Sequence, residues 1–138
     1  MSEYSEALIK CTTKQIGFIS SHNKINPYAE WYGAQVNQAA IFEKSPWCAM
    51  FVSWCFNEIG YPLPEMQHKV YSGFASTQIG LEYCKQKNWI VSTPESGDIV
   101  FYTWDKGKTC RHVGIVIENF ARSILAIEGN TGNPIGVY

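Results

Sequence analysis

The chain carries almost no net charge: 11 Lys and Arg against 12 Asp and Glu leave −1 at neutral pH. Such a balance gives no electrostatic hold on nucleic acid or on an anionic membrane surface, so neither is expected as a partner. No apolar run is long enough to span a bilayer. The opening Met1-Ser2-Glu3-Tyr4-Ser5-Glu6 is acidic and lacks the basic start and apolar core of a signal peptide. Synthesis in the cytoplasm without an export signal is therefore expected. No CxxC pair occurs, which removes the usual spacing of a structural zinc site. The cysteines number 5, an odd count that suggests reduced thiols rather than a disulfide framework. Repeats, low-complexity segments and linkers are absent too. What remains is 46% hydrophobic and 14% aromatic over 138 residues, enough for one globular domain, 1–138, around one core.

The most informative stretch is Ser45-Pro46-Trp47-Cys48-Ala49-Met50-Phe51-Val52-Ser53-Trp54-Cys55. Ser45 reads as an N-cap and Pro46 as the first helical residue, with an apolar helix following. Cys48 then falls in the first turn, partly exposed, where unpaired N–H groups and the helix dipole favour negative charge. A cysteine so placed is a nucleophile, and the same N–H groups can hold the oxyanion it generates. The competing reading is a buried structural cysteine. Cys55, two turns along the same helix, reads as core.

The organisation is helices first and strands last. Glu3 to Ser20 suits an amphipathic helix, with Ala7, Leu8, Cys11, Gln15 and Phe18 near helical spacing. Asn23 to Gly33 reads as a loop with a turn at Asn26-Pro27. The helix from Pro46 should end near Gly60, because Gly suits the C′ position and Pro62 and Pro64 forbid continuation. A loop from Tyr61 to Ser72 leads to a helix at about Gly73 to Lys87. Strands are expected at 97–102, 111–118 and 123–128, the last two joined through Asn119 to Arg122. Pro134 to Tyr138 begins another strand and stops, as in a domain cut from a longer protein or in a very short final strand.

That hairpin supplies partners for the cysteine. A loop centred near Phe120 or Ala121 sets His112 opposite Glu128 or Asn130, and opposed side chains share a face. Val113, Ile115 and Ile117 then point the other way. Gly114, on the histidine's face, leaves room for substrate or a closely packed helix. A thiol at a helix start, a histidine on the sheet and a Glu or Asn that fixes its tautomer are what a thiol hydrolase requires. His22 and His68 lie in loops without such company and read as surface residues.

Three ordered blocks then resemble a known family: Pro46 to Cys55; Gly97-Asp98-Ile99-Val100-Phe101 with His112-Val113-Gly114-Ile115-Val116; and Ile127-Glu128-Gly129-Asn130-Thr131. The sequence resembles the CHAP domains, the cysteine- and histidine-dependent amidohydrolases/peptidases. The resemblance implies a papain-like α+β fold, N-terminal helices packed on a C-terminal antiparallel β-sheet. It implies Cys48 as nucleophile through a covalent acyl-enzyme, His112 as general base, Glu128 as its orienting acceptor and Asn130 as the fourth polar residue. It implies bacterial peptidoglycan as the partner, since most members cleave it as phage endolysins, autolysins or secreted wall hydrolases, at the N-acetylmuramoyl-L-alanine amide or within the peptide stem or cross-bridge.

In such a protein action follows release to the wall, and a wall-binding module can lie outside this chain. Some phage members hold calcium through an aspartate-rich segment before the cysteine. Ala34 to Lys44 here has no Asp and only Glu43, so no metal or cofactor is expected. Trp31, Tyr32, Trp47, Tyr71 and Tyr102 are candidates for the wall of a substrate groove, with core packing as the alternative. Other readings of the same residues are a cytosolic thiol amidase on a small amide such as glutathionylspermidine, a delivered antibacterial amidase toxin, and an inactive binding module, against which the intact polar set speaks.

Overall fold

The computed structural model of the protein describes residues 2–21, 25–36, 45–68 and 72–138. Among these, the helices are α1 (Glu3–Gln15), α2 (Pro27–Gln35), α3 (Cys48–Glu58) and α4 (Thr77–Gln86). The strands β1 (Ile99–Thr103), β2 (Cys110–Asn119) and β3 (Ile124–Ile127) follow, forming one antiparallel sheet with β2 in the centre. This is the expected α+β arrangement of N-terminal helices and a C-terminal antiparallel sheet. No described helix is long and apolar enough to cross a membrane.

Local chemistry sets the helix bounds. Ser2 caps α1 by accepting from the Ser5 N–H, and Glu3 and Glu6 face the positive end of its dipole. The helix stops at Gln15, short of Ser20, because Ile16 turns extended and Gly17 takes a φ of +100°. The segment Asn23 to Gly33, expected as a loop, is instead mostly α2. Asn26 accepts from the N–H groups of Tyr28 (3.0 Å) and Ala29 (3.1 Å), and Pro27 opens the helix. Asn-Pro thus serves as N-cap and first residue, a pairing that as a bare dipeptide also reads as a turn. The Gly60 expectation holds: the Gly60 N–H reaches Asn57 O and the Tyr61 N–H reaches Phe56 O, closing α3 in a Schellman motif.

α3 is the axis of the core. Ala49 through Ser53, Cys55 and Phe56 are all buried, as expected of a helix apolar nearly all round. Tyr28 of α2 packs edge-on to Phe51 (4.9 Å) and Trp54 (5.1 Å) and stacks on Trp47 (5.4 Å). Val113, Ile115 and Ile127 bring the sheet into the same cluster. Ser53, 1% exposed, ties α3 to the segment before α4: its hydroxyl lies 2.9 Å from Ala49 O and 3.1 Å from Phe74 O, and accepts from the Phe74 N–H.

The end of the chain closes the layer. Residues 135–138 form no strand but run between two partners. Ser20 N–H donates to Ile135 O and Val137 N–H to Phe18 O, while Glu128 and Tyr138 exchange both backbone hydrogen bonds (2.9 and 3.1 Å). A Cβ on Gly136 would collide with Phe18 O, so only glycine allows this approach.

Candidate active site

Cys48 is the first residue of α3, two positions earlier in the helix than the sequence suggests. Trp47, not Ser45, occupies the N-cap, and it makes no side-chain cap hydrogen bond. The first intrahelical bond is Phe51 N–H to Trp47 O (2.9 Å). No cap therefore competes for the amides of the first turn, where an anion gains both hydrogen bonds and the helix dipole. The cysteine is 3% exposed, more enclosed than the partly exposed side chain expected. It opens on a cleft of about 480 Å³ whose wall includes Ser45, Gln67, Thr77, Cys110 and Arg111.

His112 comes from the central strand. β2 pairs Ile115 with Ile127 and Val116 with Ala126. Continued, this register sets Asn130, not Glu128, directly opposite His112. Glu128 nonetheless reaches the imidazole diagonally: its Oε1 lies 3.0 Å from Nε2 of His112. Gly114 makes this possible. A Cβ there would stand 2.6 Å from Glu128 Cγ, so the space above Gly114 is filled by the Glu128 side chain rather than by a helix or left for substrate. Asn130 takes a left-handed φ of 55°, which turns the chain away toward the Thr131–Gly136 bridge, and its side chain makes no hydrogen bond to His112.

A side-chain hydrogen bond with Cys48 is the largest influence on His112, followed by that with Glu128; together they outweigh burial and push its pKa up to about 9. Burial pushes the Glu128 carboxyl up, but the hydrogen bonds from His112 and Tyr102, with the histidine's charge, bring it net below the usual carboxylate range. Cys48, His112 and Glu128 thus form one connected chain of polar contacts, from a helix start to a strand to a strand end.

The aromatic candidates are placed differently. Tyr32 is 0% exposed and Trp47 4%, so both are core side chains and neither presents a surface to substrate. Trp31 is half-buried, edge-on to Tyr32 at 6.1 Å. Tyr102 stacks on the His112 ring, centroids 5.6 Å apart and planes at 24°, and burial together with the nearby Glu128 carboxylate pushes its phenol up. Tyr71 and His22 lie outside the described residues. His68 is half-buried, not a bare surface residue: its Nδ1 sits 2.7 Å from the Tyr32 hydroxyl.

Two residues beside Cys48 had no signal in the sequence. Gln67 lines the cleft with its side-chain oxygen accepting from the N–H groups of Ala75 (2.7 Å) and Ser76 (2.8 Å). Cys110 lines it too, its Sγ 3.2 Å from His112 O and its thiol pushed up by burial. All five cysteines are free. Among the described residues no group of three His, Cys, Asp or Glu side chains is placed to hold a metal, and positions 37–44 of the Ala34 to Lys44 segment lie outside them. A larger apolar cavity, about 570 Å³, opens between α4, the 89–94 segment and β1, and its lining includes none of Cys48, His112 and Glu128. Of these three residues, Cys48 lines the smaller cleft.

No curated protein and no solved structure matches this chain. The family model of the CHAP domain does, over residues 40–130, a span that contains Cys48, His112, Glu128 and Asn130. A match over well over half of the chain, with an α+β fold to suit it, makes the protein a member of the CHAP domain family, a family of hydrolases that act as amidases or peptidases.

Proposed function

We propose that the protein is a thiol-dependent peptidoglycan hydrolase, cleaving either the N-acetylmuramoyl-L-alanine amide or an amide of the peptide stem. The observation that carries this reading is the imidazole of His112 hydrogen-bonded to Glu128, with Cys48 the largest influence that raises its pKa. Imidazolium formation is favoured there, and an imidazolium beside Cys48 is the proton donor that the leaving amine needs.

The reaction follows from the geometry. Cys48 Sγ bonds the carbonyl carbon of the scissile amide, and the carbonyl oxygen becomes an oxyanion beside the uncapped amides at the start of α3. His112 gives its proton to the amide nitrogen, the C–N bond breaks, and the amine leaves an acyl thioester on Cys48. Water attacks the thioester carbon as His112 takes its proton. The C–S bond breaks, the product leaves as a carboxylic acid, and the thiol–imidazole pair is restored. Glu128 keeps the ring oriented and balances its charge throughout without itself accepting the proton.

Peptidoglycan as substrate rests on family membership together with this site, and the wall as the place of action follows from that substrate. Digestion of purified peptidoglycan, with mass spectrometry of the fragments, tests it. New N-terminal alanine without new reducing ends means amidase; new termini at glycine or a cross-link residue mean endopeptidase. Undigested peptidoglycan under conditions where the protein hydrolyses a small amide refutes the substrate.

A further inference from the structure

We propose that Tyr102 is a positioning residue that clamps the His112–Glu128 pair from the β1 side, packing its ring on the imidazole face and donating its hydroxyl to the Glu128 carboxylate. The proposal rests on the thiol mechanism above and adds a residue to it. Tyr102 and His112 are cross-strand partners in the β1–β2 register, so the stacking is built into the sheet. An imidazole held at Nε2 still has to resist rotation about its Cβ–Cγ bond. A ring stacked at 24° on one face removes that freedom, because rotation would drive the imidazole edge into the phenol.

The hydroxyl does a second task. Glu128 reaches its partner diagonally from a strand end, on a side chain with several rotamers. Two donors, His112 and Tyr102, fix the carboxylate where one would let it swing. The groups that face His112 are Cys48 from α3, Glu128 from beyond β3, Tyr102 from β1 and, on its own strand, Cys110. Tyr102 is the one among them that touches both members of the pair without exchanging protons with the substrate.

Removing the parts separately tests this. Tyr102→Phe keeps the stack and removes the donor; Tyr102→Leu removes both. The Phe variant should lose kcat by several-fold and the Leu variant by about 10²-fold, with KM changing little, since a misplaced general acid costs turnover and not binding. The readout independent of peptidoglycan is the rate of Cys48 alkylation by iodoacetamide against pH. In the Phe variant the acid limb should move to higher pH, because the lost hydrogen bond was one of those holding the Glu128 carboxyl down. In the Leu variant the pKa of His112 itself, raised to about 9 in the wild type and read by NMR titration, should also fall toward the ordinary histidine range.

Superimposable alkylation profiles in wild type and Leu variant, with only a lowered Tm, would make Tyr102 merely structural and overturn the proposal. A raised KM at unchanged kcat would make it a substrate contact and overturn it equally. Should the Leu variant not fold, an unmoved acid limb in Tyr102→Phe overturns it alone. Failure of the wild-type Cys48 to react ahead of the other cysteines would instead sink the thiol mechanism, and this proposal with it.

Discussion

Replacing Gly114 by Ala tests the Glu128–His112 contact through a position that is neither partner. Gly114 does not occupy the left-handed region, so alanine is no backbone strain there. Its new Cβ would stand 2.6 Å from Glu128 Cγ, 3.2 Å from Ile127 O and 3.4 Å from Glu128 Cδ. Comfortable carbon–carbon contact begins near 3.5 Å, so the Glu128 side chain must retreat by about 0.9 Å. Its Oε1 now lies 3.0 Å from His112 Nε2, and a retreat of that size along the bond takes it to about 3.9 Å, outside hydrogen-bonding range. Hydrolysis should fall by about 10²-fold with the fold retained.

The imidazole should report the same event. Its pKa, about 9, is raised first by Cys48 and second by Glu128, so the variant should titrate below 9 but above 6.5. A raised histidine pKa stabilises the fold fully below 6.5 and loses that contribution as pH rises through about 9. The variant's stability deficit should therefore be greatest at mildly acidic pH and fade above 9. NMR titration of His112, thermal melts across pH and a hydrolysis assay measure all three. Full activity with an unshifted His112 would refute the claim that Glu128 orients the ring across Gly114.

Cys48→Ala should abolish hydrolysis without unfolding, and iodoacetamide should label Cys48 ahead of the more exposed Cys11; equal labelling of all the cysteines argues against an activated sulfur. Glu128→Gln should lower kcat by about 10²-fold and Asn130→Ala by much less, since only Glu128 hydrogen-bonds the imidazole; the reverse order, read in kcat, would transfer the orienting role to Asn130. The pH–rate profile should be bell-shaped with its alkaline limb near 9, both limbs belonging to the coupled Cys48–His112 pair; an alkaline limb at the ordinary histidine value would contradict the pairing. Ser53→Ala should cost about 1–3 kcal/mol in chemical denaturation, because it leaves the buried Phe74 N–H without its acceptor; a neutral result would show that the cleft wall before α4 is not anchored there.

The placing of Cys48, His112 and Glu128 was legible because the geometry behind each is local. A cysteine after Ser-Pro-Trp places itself at a helix start, and a hairpin of known parity puts His112 and Glu128 on one face. The cap was misread by two residues, since Pro46 is compatible with a first helical residue and equally with the extended approach that precedes the true cap at Trp47. α2 was missed where a dipeptide had two meanings.

The cleft wall was not legible at all. Gln67, Thr77 and Cys110 come from three separated segments, and nothing in the chain near them says that they line one cleft with Cys48. Aromatic residues gave the least: whether Tyr32 or Trp47 faces a groove or the core depends on partners such as Tyr28 and Phe18, which sequence spacing does not supply. Tyr102 read only as a groove candidate, and it is the β1–β2 register that sets it against His112.

The central claim is a covalent intermediate on one sulfur. Mixing the protein with a muropeptide, quenching in acid within the first turnovers and mapping the protein by mass spectrometry tests it directly. An acyl group on the peptide containing Cys48, absent in Cys48→Ala and absent again in His112→Ala, where no imidazolium protonates the leaving amine, is the expected result. Cleavage of the muropeptide with no adduct on Cys48, or cleavage that persists in Cys48→Ala, would contradict the account.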